Sequence, residues 1–188
     1  MLIQKLETLH DTLFDALRRL TEGWFMGLAA RLAFSSVLLG YFWNSAATKL
    51  GSGFPGILQA EVGAYAQILP PIAEAAGYDP SKIAFLPWGL IVHLGAYAEF
   101  LIPLMILLGL FTRLSSLAMI GFIVVMTIVD IQFHGLDAKS IGLPFDRIQD
   151  AIVSDQRLLW ILPLVYLVLN GGGSLSLDRL FMRFSRTV

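Results

Sequence analysis

Residues 84–111, AFLPWGLIVHLGAYAEFLIPLMILLGLF, form a run long and apolar enough to cross a bilayer, yet they carry His93 and Glu99. At a rise of about 1.5 Å per residue, Glu99 lies roughly 18 Å from the Phe111 end, near the middle of a hydrocarbon core about 30 Å thick. Placing a carboxylate there costs a few kcal/mol or more, so an acid at this depth marks a functional site by default. Pro103 has no N–H to give to the Glu99 carbonyl four residues back, and the helix is expected to bend where its acid sits.

The rest of the chain supports a membrane setting. Hydrophobic residues make up 56% and charged residues 14%, with a mean hydropathy of +0.73, against about 25% charged in an average soluble domain. A net charge of -1 creates no field that would draw nucleic acid, so no nucleic-acid partner is expected. The absence of cysteine excludes disulfides, thiolate metal sites and a cysteine electron relay in this chain. His10, His93 and His134 lack ligand spacing, and no protein-ligated metal is expected.

Leu2, Leu6, Leu9, Leu13, Leu17 and Leu20 recur at steps of three and four, with the charges elsewhere, which predicts an amphipathic helix over residues 1–22. It lacks the pattern of a cleaved signal peptide. It reads either as an interfacial helix flat on the membrane or as a docking helix for a partner protein. The membrane domain, residues 28–188, follows. Its first span, about 28–50, has Arg31 and Lys49 near its ends, both able to extend to the headgroups. Ala29, Ala33, Ser36, Gly40, Asn44 and Ala47 form a stripe of small residues for helix approach. Asn44 lies roughly 22 Å deep, the level expected for Glu99 on an antiparallel neighbour.

A loop over residues 51–83 is expected to carry two short helices, PGILQAEVGAYAQIL and PPIAEAAGY. In the second span, 84–111, Gly95, Ala96, Glu99 and Pro103 share a face. His93 stands about 120° around the helix from Glu99, so a neighbouring element must serve one of them. Thr112 and Arg113 make a tight turn into a third span, 114–130. A second loop carries an interfacial helix at PFDRIQDAIV, the last span covers about 154–172, and a polar tail with Asp178, Arg179, Arg183 and Arg186 ends the chain. The expected fold is all-α: a bundle of four transmembrane helices, with an N-terminal amphipathic helix and two periplasmic loops bearing short helices.

Lys5, Arg18, Arg19, Arg31, Arg113, Arg179, Arg183 and Arg186 fall on the side of the termini, whereas Lys49, Lys82, Lys139, Arg147 and Arg157 fall on the other. The bias predicts cytoplasmic termini in a bacterial inner membrane. Glu99, Asn44, His93 and Lys49 are the candidate intramembrane polar pocket. Glu99 is either a proton, quinone-carbonyl or substrate partner, or a structural carboxylate bonded to Asn44 that fixes helix register. Arg31, Arg113 and Asp178 read as span-end anchors.

ARLAFSSVLLGYFWNSAATKL, AEFLIPLMILLGLFTR and NGGGSLSLD, in that order, together resemble the DoxX family of small bacterial membrane proteins, over residues 30–178. The resemblance implies a four-helix bundle, for which relatives have been placed in quinone-linked sulfur oxidation and in membrane oxidoreductase assemblies. It is also similar in architecture to four-helix quinone-reactive proteins such as vitamin K epoxide reductase, without their cysteines. The expected function is therefore a DoxX-like subunit of a quinone-linked or other membrane redox pathway. No covalently bound cofactor is expected; a quinone is the candidate ligand, and membrane lipid and other redox subunits are the candidate partners. Two alternatives are a non-catalytic scaffold subunit and a small proton-coupled transporter using Glu99.

Overall fold

The computed structural model describes residues 2–185; Arg186, counted above among the terminal cations, lies outside the described residues with Met1, Thr187 and Val188. The elements are α1 (Leu2–Thr21), α2 (Phe25–Lys49), α3 (Gly53–Gly56), α4 (Val62–Ile68), α5 (Pro70–Ala75), α6 (Leu90–Leu108), α7 (Thr112–Gln132), α8 (Ala138–Ile141), α9 (Leu158–Asn170) and α10 (Leu177–Ser185). Wider π-type turns, Phe85–Gly89 and Ile152–Arg157, lead into α6 and α9. Four helices are long and apolar enough to span a membrane: Phe25–Lys49, Phe85–Leu108, Thr112–Gln132 and Ile152–Asn170. The fold is the expected all-α four-helix membrane bundle.

Both α2 and α7 pack against α6 and α9, so the four run in a ring α2, α6, α7, α9. The core joins Phe34, Leu38 and Phe42 of α2 to Ile106 of α6, Met119 and Ile123 of α7, and Leu164 and Leu167 of α9. In lipid such helices are held by close packing and interhelical hydrogen bonds, since acyl chains are as apolar as leucine. On α2 the buried stripe is therefore the bulky one that fills the ring, from Arg31 through Phe34, Leu38 and Phe42 to Lys49. This corrects the expectation for the small residues: Ala33, Ser36, Gly40, Asn44 and Ala47 are exposed on the outside of the bundle. The two stripes are offset by two residues, about 200° of helix rotation.

The bundle closes tightly at the end where the terminal segments meet. Ser174 N–H donates to the Gly23 carbonyl at 2.8 Å, and a Cβ on Gly27 would stand 2.6 Å from the carbonyl carbon of Gly172. The α6 to α7 reversal lies at residues 109–111, with Gly109 at φ +68° and Phe111 at φ +44°. Thr112 and Arg113, expected to be the turn, are instead the first residues of α7, because a tail carboxylate caps that helix. Asp178 accepts from Phe111 N–H at 2.6 Å, Thr112 N–H at 2.8 Å and the Thr112 hydroxyl at 2.6 Å. Asp178→Ala is expected to destabilise the purified protein by about 1–2 kcal/mol in thermal unfolding, with Asp178→Asn recovering part of it, since an amide oxygen still accepts. The tail is more ordered and less polar than expected: α10 exposes Leu180, Phe181, Met182 and Phe184.

The loops at the opposite end hold further differences. The helix expected from Pro55 begins only at Val62, because Gly51 N–H bonds the Gln59 carbonyl at 3.0 Å and Glu61 N–H bonds the Lys49 carbonyl at 2.9 Å, folding residues 51–61 back on α2. PFDRIQDAIV is not the expected helix: Asp146 accepts from Ile148 N–H at 2.7 Å, and Phe145 has φ +66°, both features of a turn. That loop's helix is α8, capped by Asp137, which accepts from Ser140 N–H at 2.7 Å. In the first loop the Ser81 hydroxyl and backbone N–H bond Asp79 and hold its carboxyl below its ordinary value.

Candidate functional site

Lys49 closes α2, and its side chain turns back along its own helix. Its Nζ donates to Ser45 Oγ at 2.6 Å and to Glu99 Oε2 of α6 at 3.0 Å. Lys49 is 3% exposed and Glu99 5%. The ammonium was expected to extend out to the headgroups. An opposite charge one helical turn inward reverses that preference, because a paired ammonium and carboxylate lose less in a low-dielectric interior than either would alone. Pro103 sits inside α6, which continues as one helix from Leu90 to Leu108. Beside it, Trp43 of α2 donates from its indole N–H to the Phe100 carbonyl at 3.1 Å and stacks on the Phe100 ring.

The neighbours of Asn44, Trp43 and Ser45, lead to Phe100 and, through Lys49, to Glu99, so Asn44 lies at about the level of that acid. Its side chain points elsewhere: Asn44 is exposed, and among the described residues it has no hydrogen bond to Glu99, Lys49 or Ser45, because one residue of rotation, about 100°, hands its place to Ser45. His93 also stands outside the pocket. Its Nδ1 lies 2.7 Å from the Gly89 carbonyl oxygen and its Nε2 3.2 Å from that of Leu58. With Tyr97, whose hydroxyl donates to the Ile57 carbonyl at 2.9 Å, it ties the first long loop to α6. Glu99 and His93 are thus served by two different neighbours, as their separation around the helix requires.

The three expected anchors have more specific roles or none. Arg31 is 3% exposed and clamps the closed end, donating to the carbonyls of Leu107 and Leu175. Asp178 is the cap already described. Arg113 is exposed at the start of α7.

A second ion pair, partly exposed at its acid, joins α7 to the turn that leads into α9. Arg157, 4% exposed, reaches Asp130 of α7 and donates to Thr127 Oγ1 at 2.7 Å. The expected spans, 114–130 and about 154–172, put Asp130 and Arg157 at span ends without pairing them. The signal that could have found them is their position: opposite charges at the same end of two antiparallel, adjacent spans.

Between α2, α6 and α7 the structure encloses a cavity of about 610 Å³, within the usual range for a small-molecule site. Lys49, Glu99, Ser45 and Tyr41 line it on the α2 and α6 side. Gly121, Phe122 and Val125 line it along α7, and Gln67, Asp130 and His134 stand at the end nearest the long loops. His134 Nε2 lies 3.1 Å from the Gln67 carbonyl oxygen, linking the two long loops over it. Because Ile91, Gly121 and Val125 are exposed while Lys49 and Glu99 are buried, the space runs from the outer surface of the bundle to the ion pair. The arrangement offers both hydrogen-bonding senses. Lys49 has three N–H groups, of which two hold Ser45 Oγ and Glu99 and the third has only the Ser45 carbonyl at 3.4 Å. Among the described residues Glu99 Oε1 has no hydrogen-bond partner, and no group of three His, Cys, Asp or Glu is placed to hold a metal.

Comparison with known proteins adds one finding. The family model described as DoxX matches residues 26–134, more than half the chain and the first three spans. No curated protein and no solved structure matches.

Proposed function

The chain belongs to the DoxX family, and from that premise we propose that it is a subunit of a quinone-linked membrane redox pathway, binding a quinone headgroup beside Lys49 and Glu99. The observation that carries this reading is the cavity, which begins on the lipid-facing surface and ends on a buried, hydrogen-bonding ion pair. A quinone travels in the hydrocarbon and carries two carbonyl oxygens that need donors once out of water. The third Lys49 N–H is such a donor. Glu99 Oε1 is an acceptor for the hydroxyl of the reduced form. The rings of Tyr41 and Phe122 flank the space, and an isoprenoid tail would leave past Val125 and Ile91. The chain has no cysteine, so electrons reach the ligand from another redox subunit rather than a thiol relay here.

Orientation follows from the same residues. Lys49 and Arg157 are neutralised inside the bundle, and removing them from the outer count leaves three cations there against eight near the termini. The positive-inside rule then supports cytoplasmic termini in a bacterial inner membrane, with the cavity in the outer half of the bilayer. A scaffold role is supported separately by α1, whose Ile3, Leu6, Leu9, Leu13, Phe14 and Leu17 form an exposed apolar face available to a partner or to the membrane surface.

Gly121→Phe tests the binding reading without touching either ion pair. A Cβ at Gly121 meets nothing within 4 Å, so the ring can be accommodated and fills the opening. The variant is expected to keep its thermal stability and to retain on the order of tenfold less ubiquinone or menaquinone when nanodiscs are extracted, a loss typical of a blocked pocket contact. Equal quinone content in both proteins, or none in either, would count against the proposal.

A further inference from the structure

A larger cavity, about 1190 Å³, opens at the other end of the bundle, between the start of α7, the glycines after α9, and α10. Two arginines line it, Arg113 and Arg179. The Arg113 side chain lies across Gly171, where a Cβ would stand 3.6 Å from its Nε. The two buried arginines are engaged: Arg31 holds the Leu107 and Leu175 carbonyls, and Arg157 holds Asp130 and Thr127. Arg113 and Arg179 are not, for among the described residues neither guanidinium makes an ion pair or a side-chain hydrogen bond. The acid on the cavity wall does not neutralise them. Asp178 directs both its oxygens to the α7 N-terminus.

The remaining wall is apolar. Leu114, Phe181 and Met182 line the same space and are themselves exposed. Two exposed guanidinium groups with no side-chain partner among the described residues, next to an apolar surface at the level where spans begin and end, match one kind of ligand. Guanidinium forks pair with phosphate oxygens, and the apolar wall requires that the phosphate carry hydrocarbon.

We propose that this cavity binds the phosphate of an anionic phospholipid between Arg113 and Arg179, with acyl chains against Leu114, Phe181 and Met182. Free phosphate would satisfy the guanidiniums but leave the apolar wall bare. The site uses none of the residues of the quinone reading and lies at the opposite end of the bundle.

The test uses the full chain, purified in mild detergent and titrated with phosphatidylglycerol, phosphatidylcholine or inorganic phosphate, with bound lipid read by native mass spectrometry and stability by thermal unfolding. Phosphatidylglycerol is expected to be retained and to stabilise the protein, and the other two are not. The double variant Arg113→Gln with Arg179→Gln is expected to lose on the order of thirty-fold in phosphatidylglycerol retention, while Arg147→Gln in the outer loop loses none. Met182→Glu, which repels an anionic lipid while leaving both arginines in place, is expected to show the same loss and serves if the double variant does not fold. Unchanged phosphatidylglycerol retention in the folded variants overturns the proposal. So does stabilisation by inorganic phosphate with phosphatidylglycerol no better than phosphatidylcholine.

Discussion

Lys49→Met is expected to lower the stability of the purified protein by about 3 kcal/mol or more, and Glu99→Leu by a similar amount, because each leaves one buried charge without its partner. The two side chains are almost fully enclosed and 3.0 Å apart. Their mutual attraction is offset by the loss of hydration each suffers, so removing both charges at once is a different experiment. The double variant Lys49→Met with Glu99→Leu is expected to lie within about 1 kcal/mol of the parent, since apolar groups of similar volume often replace a buried pair at little net change. Reversible unfolding in mixed micelles measures all three and yields the coupling. Single variants that unfold like the parent would mean that water reaches the pair. Quinone retention separates stability from binding: the double variant regains its fold yet is expected to remain without ligand, because donor and acceptor are both gone.

Gly27→Val is expected to destabilise the closed end of the bundle by about 2–3 kcal/mol, the upper range for forcing extra atoms into a packed site. A Cβ there would lie 2.6 to 2.7 Å from backbone atoms of Gly172 and Gly173, and backbone cannot rotate aside as a side-chain tip can. The displaced segment carries the Ser174 bond to Gly23 and the Leu175 carbonyl that Arg31 holds, so both should weaken together. Hydrogen exchange over residues 171–176 reads that loosening, next to thermal unfolding. Gly40→Val is the contrast. It has nothing within 4 Å of a new Cβ, and it is expected to be neutral or slightly stabilising, as glycine is a poor helix former. If both substitutions behave alike, the contact between α2 and the glycines is not tight.

These glycines show how far the sequence can be read. The small residues of the first span were a legible stripe, and in a membrane such a stripe suggests a helix contact. The structure puts it on the outside, because α2 faces a core shared with α6, α7 and α9, which Phe34, Leu38 and Phe42 fill better than alanine or glycine. Gly27, by contrast, stood alone in the pattern, and its importance depends on NGGG arriving from 145 residues later in the chain. The same limit explains Lys49, which the sequence offers both as a span-end lysine able to reach the headgroups and as a candidate member of the pocket. A lysine near a span end does extend to the headgroups unless an acid lies closer inside, and only the packing of α2 on α6 supplies that acid.

Membrane residence, four spans, the antiparallel return after α6, an acid in the second span and its proline neighbour were all fixed by the sequence, since hydrocarbon tolerates few other backbones and an isolated carboxylate in it is conspicuous. Which faces turned inward was not, because depth follows from residue number through the rise of the helix, whereas azimuth depends on which neighbours arrive. Tertiary structure therefore chose Lys49 and Ser45 over Asn44 and His93 as companions of Glu99, and brought Asp130 to Arg157 across two spans. It also turned Asp178 from a tail residue into the cap that ends one helix pair and begins the next.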